Sequence, residues 1–504
     1  MEHILERSSK PIVEGVRTRS MASMEQGDQC SGSKRKRSHK HDQLRMEKSR
    51  RSKASKHENG VDFISNMPDP ILQFILQRLP RIEEAVRTSI LSTRWRYLWT
   101  SIPSVDIDVR ATKKFRKTKF RKFVNSVLLN KTGLYLDSFR LNCAGYFDMT
   151  TVRRWIQAAV KRKVKRLDLM FFSDEIKCDS IPLPDCLLTS ESLEELRLFP
   201  YSRAMHLPEP TGFRALRVLE LTHIYSFDMN LVETFLEKCP ALEELSLIDN
   251  VIVQVDPICI SSTKLKTLTI LYRDNVIYGH NGIWCGVKVC CPELVSFEYI
   301  GHRGRLIFEN VDRLKKAVIL PNDVMQQEIS SELGNTVCKM LDKISNVESL
   351  SLNLYFIQCI DAAHDPKAAY FANLKTLEIT TTIDFFTMNV LIWILGSSPN
   401  LESLHLIIQE EQLRTEYWAI NEVETWKILT RHLKTVKFLG FDGEKQKYDI
   451  ACCLLEHGEA LKEMVFSWNN RITYHQKSMK LITELSKFNT ASSSVKLISD
   501  LKDQ

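Results

Sequence analysis

A six-residue cassette, Leu-x-x-Leu-x-Leu, returns along this chain often enough to exclude most folds. Clear copies begin at Leu193, Leu216, Leu242, Leu265, Leu374 and Leu401, and looser ones at Leu136, Val164, Leu294, Leu314, Val347, Leu433 and Leu461. Consecutive starts lie 20 to 33 residues apart, mostly 23 to 29. In an extended segment successive side chains point to opposite faces, so the last two leucines of a cassette share one face. Glu195, Arg197, Arg217, Glu220 and Ser246 take the other. Each copy also needs a return segment, and Leu231 to Pro240 reads as a helical one.

A unit of this length buries its apolar face only by stacking on neighbours, which is the logic of the leucine-rich repeat. The expected fold class is therefore α/β, a curved solenoid of parallel strands around a continuous leucine core. Thirteen strands at about 4.8 Å each would span about 60 Å, enough to wrap a protein partner. An ordinary α/β domain would not repeat one hexad at near-constant spacing. Residues 272–293, 321–346 and 408–432 depart from the pattern and are expected to be loops or extended helices that carry specificity.

Ahead of the array the pattern changes. Ile71, Leu72, Ile75, Leu76 and Leu79 fall on one broad helical face, with Pro70 near its start and Pro80 stopping it. A second helical run covers Glu83 to Ser89, and a third starts at Ser92, a good N-cap, and carries Trp95, Tyr97, Leu98 and Trp99. Three helices this short cannot bury so many large side chains against one another, so the surplus apolar surface needs a partner. Between this unit and the array, Phe115, Phe120 and Phe123 alternate with lysines and arginines, the pattern of an amphipathic helix with a cationic outer face. A helix linking two domains accounts for it better than a nucleic-acid or phospholipid site.

The net charge of +8 is local. Residues 1–60 hold 15 Lys/Arg against 8 Asp/Glu, whereas residues 61–504 hold 55 against 54. The leading segment is rich in Ser, Lys, Arg and His and has the composition of a disordered tail. Within it Lys34, Arg35, Lys36 and Arg37, followed by Arg50, Arg51 and Lys53, form two basic clusters with the spacing of a bipartite nuclear-import signal for an import receptor. A solvated basic tail is the plainer alternative. No stretch reaches the roughly eighteen apolar residues of a membrane helix, and no secretory leader is legible, so nucleus and cytoplasm are the expected compartments. The 13 cysteines are odd in number, and Cys290–Cys291 and Cys452–Cys453 are adjacent pairs, which excludes a disulfide scaffold and gives no zinc spacing.

Residues 62–99 closely resemble the F-box of plant proteins that also carry leucine-rich repeats. The match runs through Asp62, Ile64, Ser65, Met67-Pro68-Asp69, Ile71-Leu72, Ile75-Leu76, Leu79-Pro80 and Glu84-Ala85-Val86. Its most specific part is Arg87 to Ser92 followed by Arg94 to Trp99. Met67 stands where a leucine is usual, and Pro70 where an acidic residue is common. The stretch from Leu433 to Gly443, with Ala451 to Glu456 and Ala460 to Met464, looks like the FBD domain that accompanies this plant group. The resulting organisation is a basic tail (1–60), an F-box (61–108), a linker helix (109–135), leucine-rich repeats (136–425), FBD-like terminal repeats (426–490) and a tail (491–504).

The resemblance implies that the F-box docks on a Skp-type adaptor, and through it a cullin, while the repeats hold a protein substrate for ubiquitination. Pro68, Ile71, Ile75, Leu79, Pro80, Leu91 and Trp95 are the expected adaptor contacts, with internal packing as the competing role for each. No catalytic constellation, cofactor site or metal site is expected. Gly279, Gly282 and Gly286 lack phosphate-loop spacing, and His302 with Cys290–Cys291 is better read as structural than as a nucleophile pair. A non-degradative nuclear scaffold, or a repeat protein using its basic tail on nucleic acid, are the alternative functions.

Overall fold

All thirteen cassettes form strands. The computed structural model describes residues 64, 66–109, 117–143, 149–170, 183–199, 213–224, 229–250, 257–272, 286–302, 304–322, 329–363, 369–409, 431–441, 443–468, 475–488 and 490–500. It divides into a leading unit, Met1–Met67, of which three residues are described, and a second unit, Pro68–Gln504. The two basic clusters of the expected import signal lie outside the described residues.

In chain order the strands are β1 (Ser104–Asp108), β2 (Ser138–Asn142), β3 (Arg166–Met170), β4 (Glu195–Phe199), β5 (Val218–Thr222), β6 (Glu244–Ile248), β7 (Ile258–Ser261), β8 (Thr267–Leu271) and β9 (Gly286–Cys290). There follow β10 (Ser296–His302), β11 (Arg305–Glu309), β12 (Lys316–Asn322), β13 (Ser349–Leu352), β14 (Thr376–Thr381), β15 (Ser403–Ile408), β16 (Thr435–Phe441), β17 (Glu463–Trp468) and β18 (Lys496–Asp500). Fifteen of them make one sheet in chain order from β1 to β18, and β11-β9-β7 make a second, three-stranded sheet. Every pair of neighbours is parallel, as stacked repeats require.

The cassettes work as their spacing predicts. Leu193, Leu196 and Leu198, then Leu216, Leu219 and Leu221, are 0 to 1% exposed, and the cassette residues stay at 3% or less along the array as far as Leu461, Met464 and Phe466. Consecutive repeats are also tied through the backbone at the residue before each strand. Arg217 donates its N–H to the Glu194 carbonyl, Glu243 to Arg217 and Lys266 to Glu243, and the series runs on to Lys496 donating to Lys462. Those positions alternate in charge, so Lys165–Glu194 (3.2 Å), Arg217–Glu243 (3.0 Å), Lys266–Glu243 (3.2 Å) and Lys375–Glu348 (2.9 Å) pair along the rim.

The helices are α1 (Asp69–Gln77), α2 (Ile82–Arg87), α3 (Trp95–Leu98), α4 (Lys117–Asn130), α5 (Met149–Lys161), α6 (Asp185–Leu188), α7 (Met229–Lys238), α8 (Ser331–Lys343), α9 (Leu354–Asp361), α10 (Phe385–Gly396), α11 (Lys445–His457) and α12 (His475–Leu485). The return segment expected at Leu231 to Pro240 overlaps α7, which starts two residues earlier, and the irregular stretch 321–346 contains α8, a long helix capped by the Ser330 side chain.

Three boundaries differ from the sequence reading. β1 pairs with β2 in register Val105↔Phe139, so the sheet begins inside the segment assigned to the F-box. The expected linker helix is α4, and it lies between two strands of the array with Phe120 and Val124 fully buried. β18 lies in the expected C-terminal tail and pairs with β17, Met464↔Leu497. Of the second sheet only β9 falls in the departure at 272–293, where a loop or helix was expected; β7 precedes it and β11 follows it. There Gly286 adopts φ +113°, and a Cβ on it would fall 2.0 Å from the Arg305 carbonyl oxygen.

Candidate functional site

The helical unit in front of the array has two apolar faces with different fates. Leu72 and Leu76 on α1 are 0 and 2% exposed, and Ile82, Ala85, Trp95, Leu98 and Trp99 are buried in the same unit. Ile71, Phe74 and Ile75 on the same helix are 47, 55 and 42% exposed. Residues three and four apart share a helical face, so these three form one outward stripe, and Arg78 extends it with its guanidinium 4.7 Å over the Phe74 ring. Ile90 and Leu91, after the second helix, are 89 and 64% exposed. An Arg94–Asp69 ion pair of 2.6 Å ties the third segment to the start of α1; Ser92 accepts a hydrogen bond from the Trp95 N–H at 3.4 Å, but α3 starts at Trp95 with Arg94, not the expected Ser92, as its N-cap.

Of the seven expected adaptor contacts, Pro68, Ile71, Ile75, Pro80 and Leu91 are exposed and Leu79 is half-buried. Trp95 is different: at 7% exposure it belongs to the internal core, and its role is packing. Phe74, Ile90 and Tyr97 are exposed apolar residues that the sequence reading omitted. The i, i+3, i+4 spacing from Ile71 was the signal that could have found Phe74.

The second surface is the open face of the fifteen-stranded sheet. Register places Asp106, Arg140, Asp168, Arg197 and Glu220 side by side on β1 to β5. Arg140 bridges Asp106 (3.6 Å) and Asp168 (3.1 Å), and Arg197 reaches Glu220 at 3.6 Å. Burial pushes the Asp106 and Asp168 carboxyls above the usual range, and Arg140 opposes the rise. Farther along, His405 stands 3.6 Å from Glu378. A recess of about 920 Å³ lies at the strand entrances, where Lys315, Glu348, Lys375, Glu402 and Lys434 line it already paired to one another.

The described cysteines have free thiols, and burial raises Cys143, Cys239, Cys291 and Cys453, the latter two to about 11. Such thiols are poor nucleophiles at neutral pH. Among the described residues no cluster of three or more metal-ligating side chains occurs, and no helix is long and apolar enough to cross a membrane.

A helical docking unit fused to a parallel repeat sheet defines a leucine-rich-repeat protein with an N-terminal interaction module. Comparison with known proteins agrees: the family model described as the At1g61320/AtMIF1 LRR domain matches residues 127–498, and the F-box domain model matches residues 64–105. The chain belongs to the plant F-box/FBD/LRR-repeat family. It is 30% identical over 425 residues to F-box/FBD/LRR-repeat protein At5g22660 of Arabidopsis thaliana, covering 80% of this chain and 89% of that protein. It is 26% identical over 453 residues to FBD-associated F-box protein At5g22730 of the same organism, covering 87% and 94%. The LRR model extends over the stretch that resembles an FBD domain, where β16 and β17 continue the same sheet and β18 adds a strand just beyond it.

Proposed function

We propose that this chain is the substrate-recognition subunit of a Skp–cullin–F-box ubiquitin ligase. The F-box domain itself points to a Skp-type adaptor in general. The observation that carries the reading is the split of α1 into a buried face and an exposed apolar stripe of Ile71, Phe74 and Ile75, continued by Ile90 and Leu91. A soluble unit leaves such a stripe uncovered when a partner covers it. Proteins of this F-box/LRR kind are generally non-catalytic adaptors. In this role the chain contributes proximity: the repeats hold a substrate protein near the conjugating machinery and raise the effective concentration of its target lysine.

Co-purification tests the reading. Wild-type protein should bring down a Skp-type adaptor and a cullin, and the pair Ile75→Asp with Leu91→Asp should lose both while the thermal unfolding of the array is retained. Undiminished adaptor capture by that variant would reject the assignment. Nuclear entry through residues 34–53 belongs to the same proposal, and deletion of those residues should shift the protein to the cytoplasm.

A further inference from the structure

We propose that the adaptor-docking surface continues past the F-box onto the end of α4 and the turn after it, where Leu129, Leu134 and Tyr135 receive an acidic, apolar-bearing segment of the adaptor. The inference rests on the reading of the F-box as the adaptor-binding part.

Fourteen large apolar residues are exposed among the described ones, and ten of them fall between Ile64 and Tyr135. The other four are spread along the array, the scatter of an ordinary surface. Seven of the ten belong to the F-box match at residues 64–105. The remaining three lie beyond it: Leu129, Leu134 and Tyr135, at 81, 82 and 62% exposure. Hydrogen bonds carry one surface into the other. Ser89 donates its hydroxyl to the Arg96 carbonyl at 3.3 Å, which sets Ile90 and Leu91 beside Tyr97. Thr100 donates its hydroxyl to the Tyr97 carbonyl at 2.6 Å, and its own carbonyl accepts the Thr132 N–H at 3.2 Å. Leu134 is two residues from Thr132, at most about 7 Å of chain. Asp137 donates its N–H to the Pro103 carbonyl at 2.7 Å, so both ends of the turn are fastened to the chain leaving the F-box.

Charge selects the segment that covers the patch. Residues 113–166 hold 16 Lys/Arg against 2 Asp/Glu, whereas residues 167–504 hold 33 against 46. On α4 the exposed Lys119, Lys122, Ser126 and Leu129 fall at offsets 0, 3, 7 and 10, one outward stripe that ends in the patch. α5 packs beside α4, with Phe120 edge-on to Trp155 at 6.0 Å and the Trp155 Nε1 donating to Asn125 at 2.7 Å. It adds the exposed Arg154 and Lys161, seven residues apart. Lys163 reaches over the Tyr135 ring at 5.7 Å, from a backbone at φ +51° that lysine rarely takes. Among the described residues Lys119, Lys122, Arg154 and Lys163 form no ion pair, and Asp185 at the edge of α5 faces Arg153 at 3.9 Å. Uncompensated cations around an apolar knob favour an acidic protein partner. Attachment to the F-box favours the adaptor over a nucleic acid, whose phosphates would leave the two leucines uncovered.

The test is a binding titration of full-length wild type and variants with a recombinant Skp-type adaptor, at low and at high salt. Leu134→Ser with Tyr135→Ser should bind about tenfold more weakly. Lys122→Glu with Lys163→Glu should associate about tenfold more slowly at low salt and approach wild type at high salt. Tyr370→Ser, at an exposed aromatic elsewhere in the array, should leave the affinity unchanged. Matching thermal melts show that a loss is not unfolding, and Leu134→Ala gives a milder variant for the same measurement. Adaptor binding indifferent to the Leu134, Tyr135, Lys122 and Lys163 changes overturns the proposal. So does a loss of duplex DNA or phosphatidylserine vesicle binding in those variants with adaptor binding intact. Ile75→Asp with Leu91→Asp, titrated alongside, separates the two readings. Adaptor binding that needs those two residues and ignores Leu134 and Tyr135 removes the second contact alone, whereas no adaptor binding by wild type removes both.

Discussion

The side-chain nitrogen of Lys131 donates a 2.6 Å hydrogen bond to the carbonyl oxygen of Ile102, joining the end of α4 to the chain that leaves the F-box. It also donates to the Trp99 carbonyl at 3.1 Å, and Thr132 donates its N–H to the Thr100 carbonyl at 3.2 Å. The lysine is 8% exposed, and burial, with Arg162 adding, lowers its pKa to about 7. An ammonium there holds the Ile102 carbonyl and shares the Trp99 carbonyl with the Ile102 N–H at the seam between helical unit and sheet.

This seam gives a pH signature. Between pH 7 and the ordinary lysine pKa near 10.4 the unfolded chain binds a proton that the folded chain does not, so this group's contribution to stability rises with pH across that window. Below about pH 7 both states are protonated and the cost of burying the charge is fully present. The melting temperature of wild type minus that of Lys131→Met should therefore grow from pH 7 to pH 9. A flat difference would show that Lys131 is not the buried titrating group.

The two faces of α1 should separate stability from docking. Leu76→Ala should cost about 2–4 kcal/mol of unfolding free energy, as a leucine lost from a packed core does. Ile75→Ala should change stability by less than about 0.5 kcal/mol, as surface positions do, and weaken adaptor capture. Chemical denaturation and quantitative co-purification on the same two proteins measure both.

Trp95 gives a sharper case. As a core residue its truncation to Ala should cost about 3–5 kcal/mol and remove adaptor binding through loss of fold. Trp95→Phe, which keeps most of the packed volume, should restore most of the binding. A surface role would instead leave stability intact in both variants.

Arg140 compensates two half-buried carboxylates on the open face, Asp106 and Asp168. Their pKa values are already raised in the folded state, and Arg140→Met should raise them further. A carboxylate with a raised folded pKa holds its proton longer folded than unfolded, so its penalty appears as pH rises through that range. The destabilisation by Arg140→Met should be larger at pH 8 than at pH 5, checked by thermal melts at both.

Gly286→Ala tests the second sheet. The added Cβ would meet the Arg305 backbone in the β9–β11 pair, at a φ that alanine avoids. The expected result is loss of amide exchange protection in β9 and β11 with β10 and β12 unaffected.

Much of this was legible in the sequence because a cassette of leucines at fixed spacing has few physical outlets. Every copy, even the degenerate Val347 and Leu461 ones, is a strand. What stayed hidden had no repeated signal. β1 buries Val105 and Ile107 through a cassette opened by Ile102 and adjacent to the F-box pattern, and β18 is Lys-Leu-Ile-Ser-Asp, with no leucine pair. β7 and β9 are four and five residues long, too short for alternation to stand out. For Trp95, sequence could not separate a core aromatic from a docking aromatic, because both are large apolar residues on a short helix.

The one-strand-per-repeat sheet also acts as a ruler. With the F-box fastened to β1 through Lys131, the position of any repeat is fixed by counting strands. β6 lies five spacings from β1, about 24 Å, and β12 eight, about 38 Å. Removing one whole repeat between β2 and β5 would leave a sheet that still closes and shift everything beyond it by about 5 Å. How far along the array a side chain stands is thus set by the number of repeats before it, separately from which side chain the repeat presents.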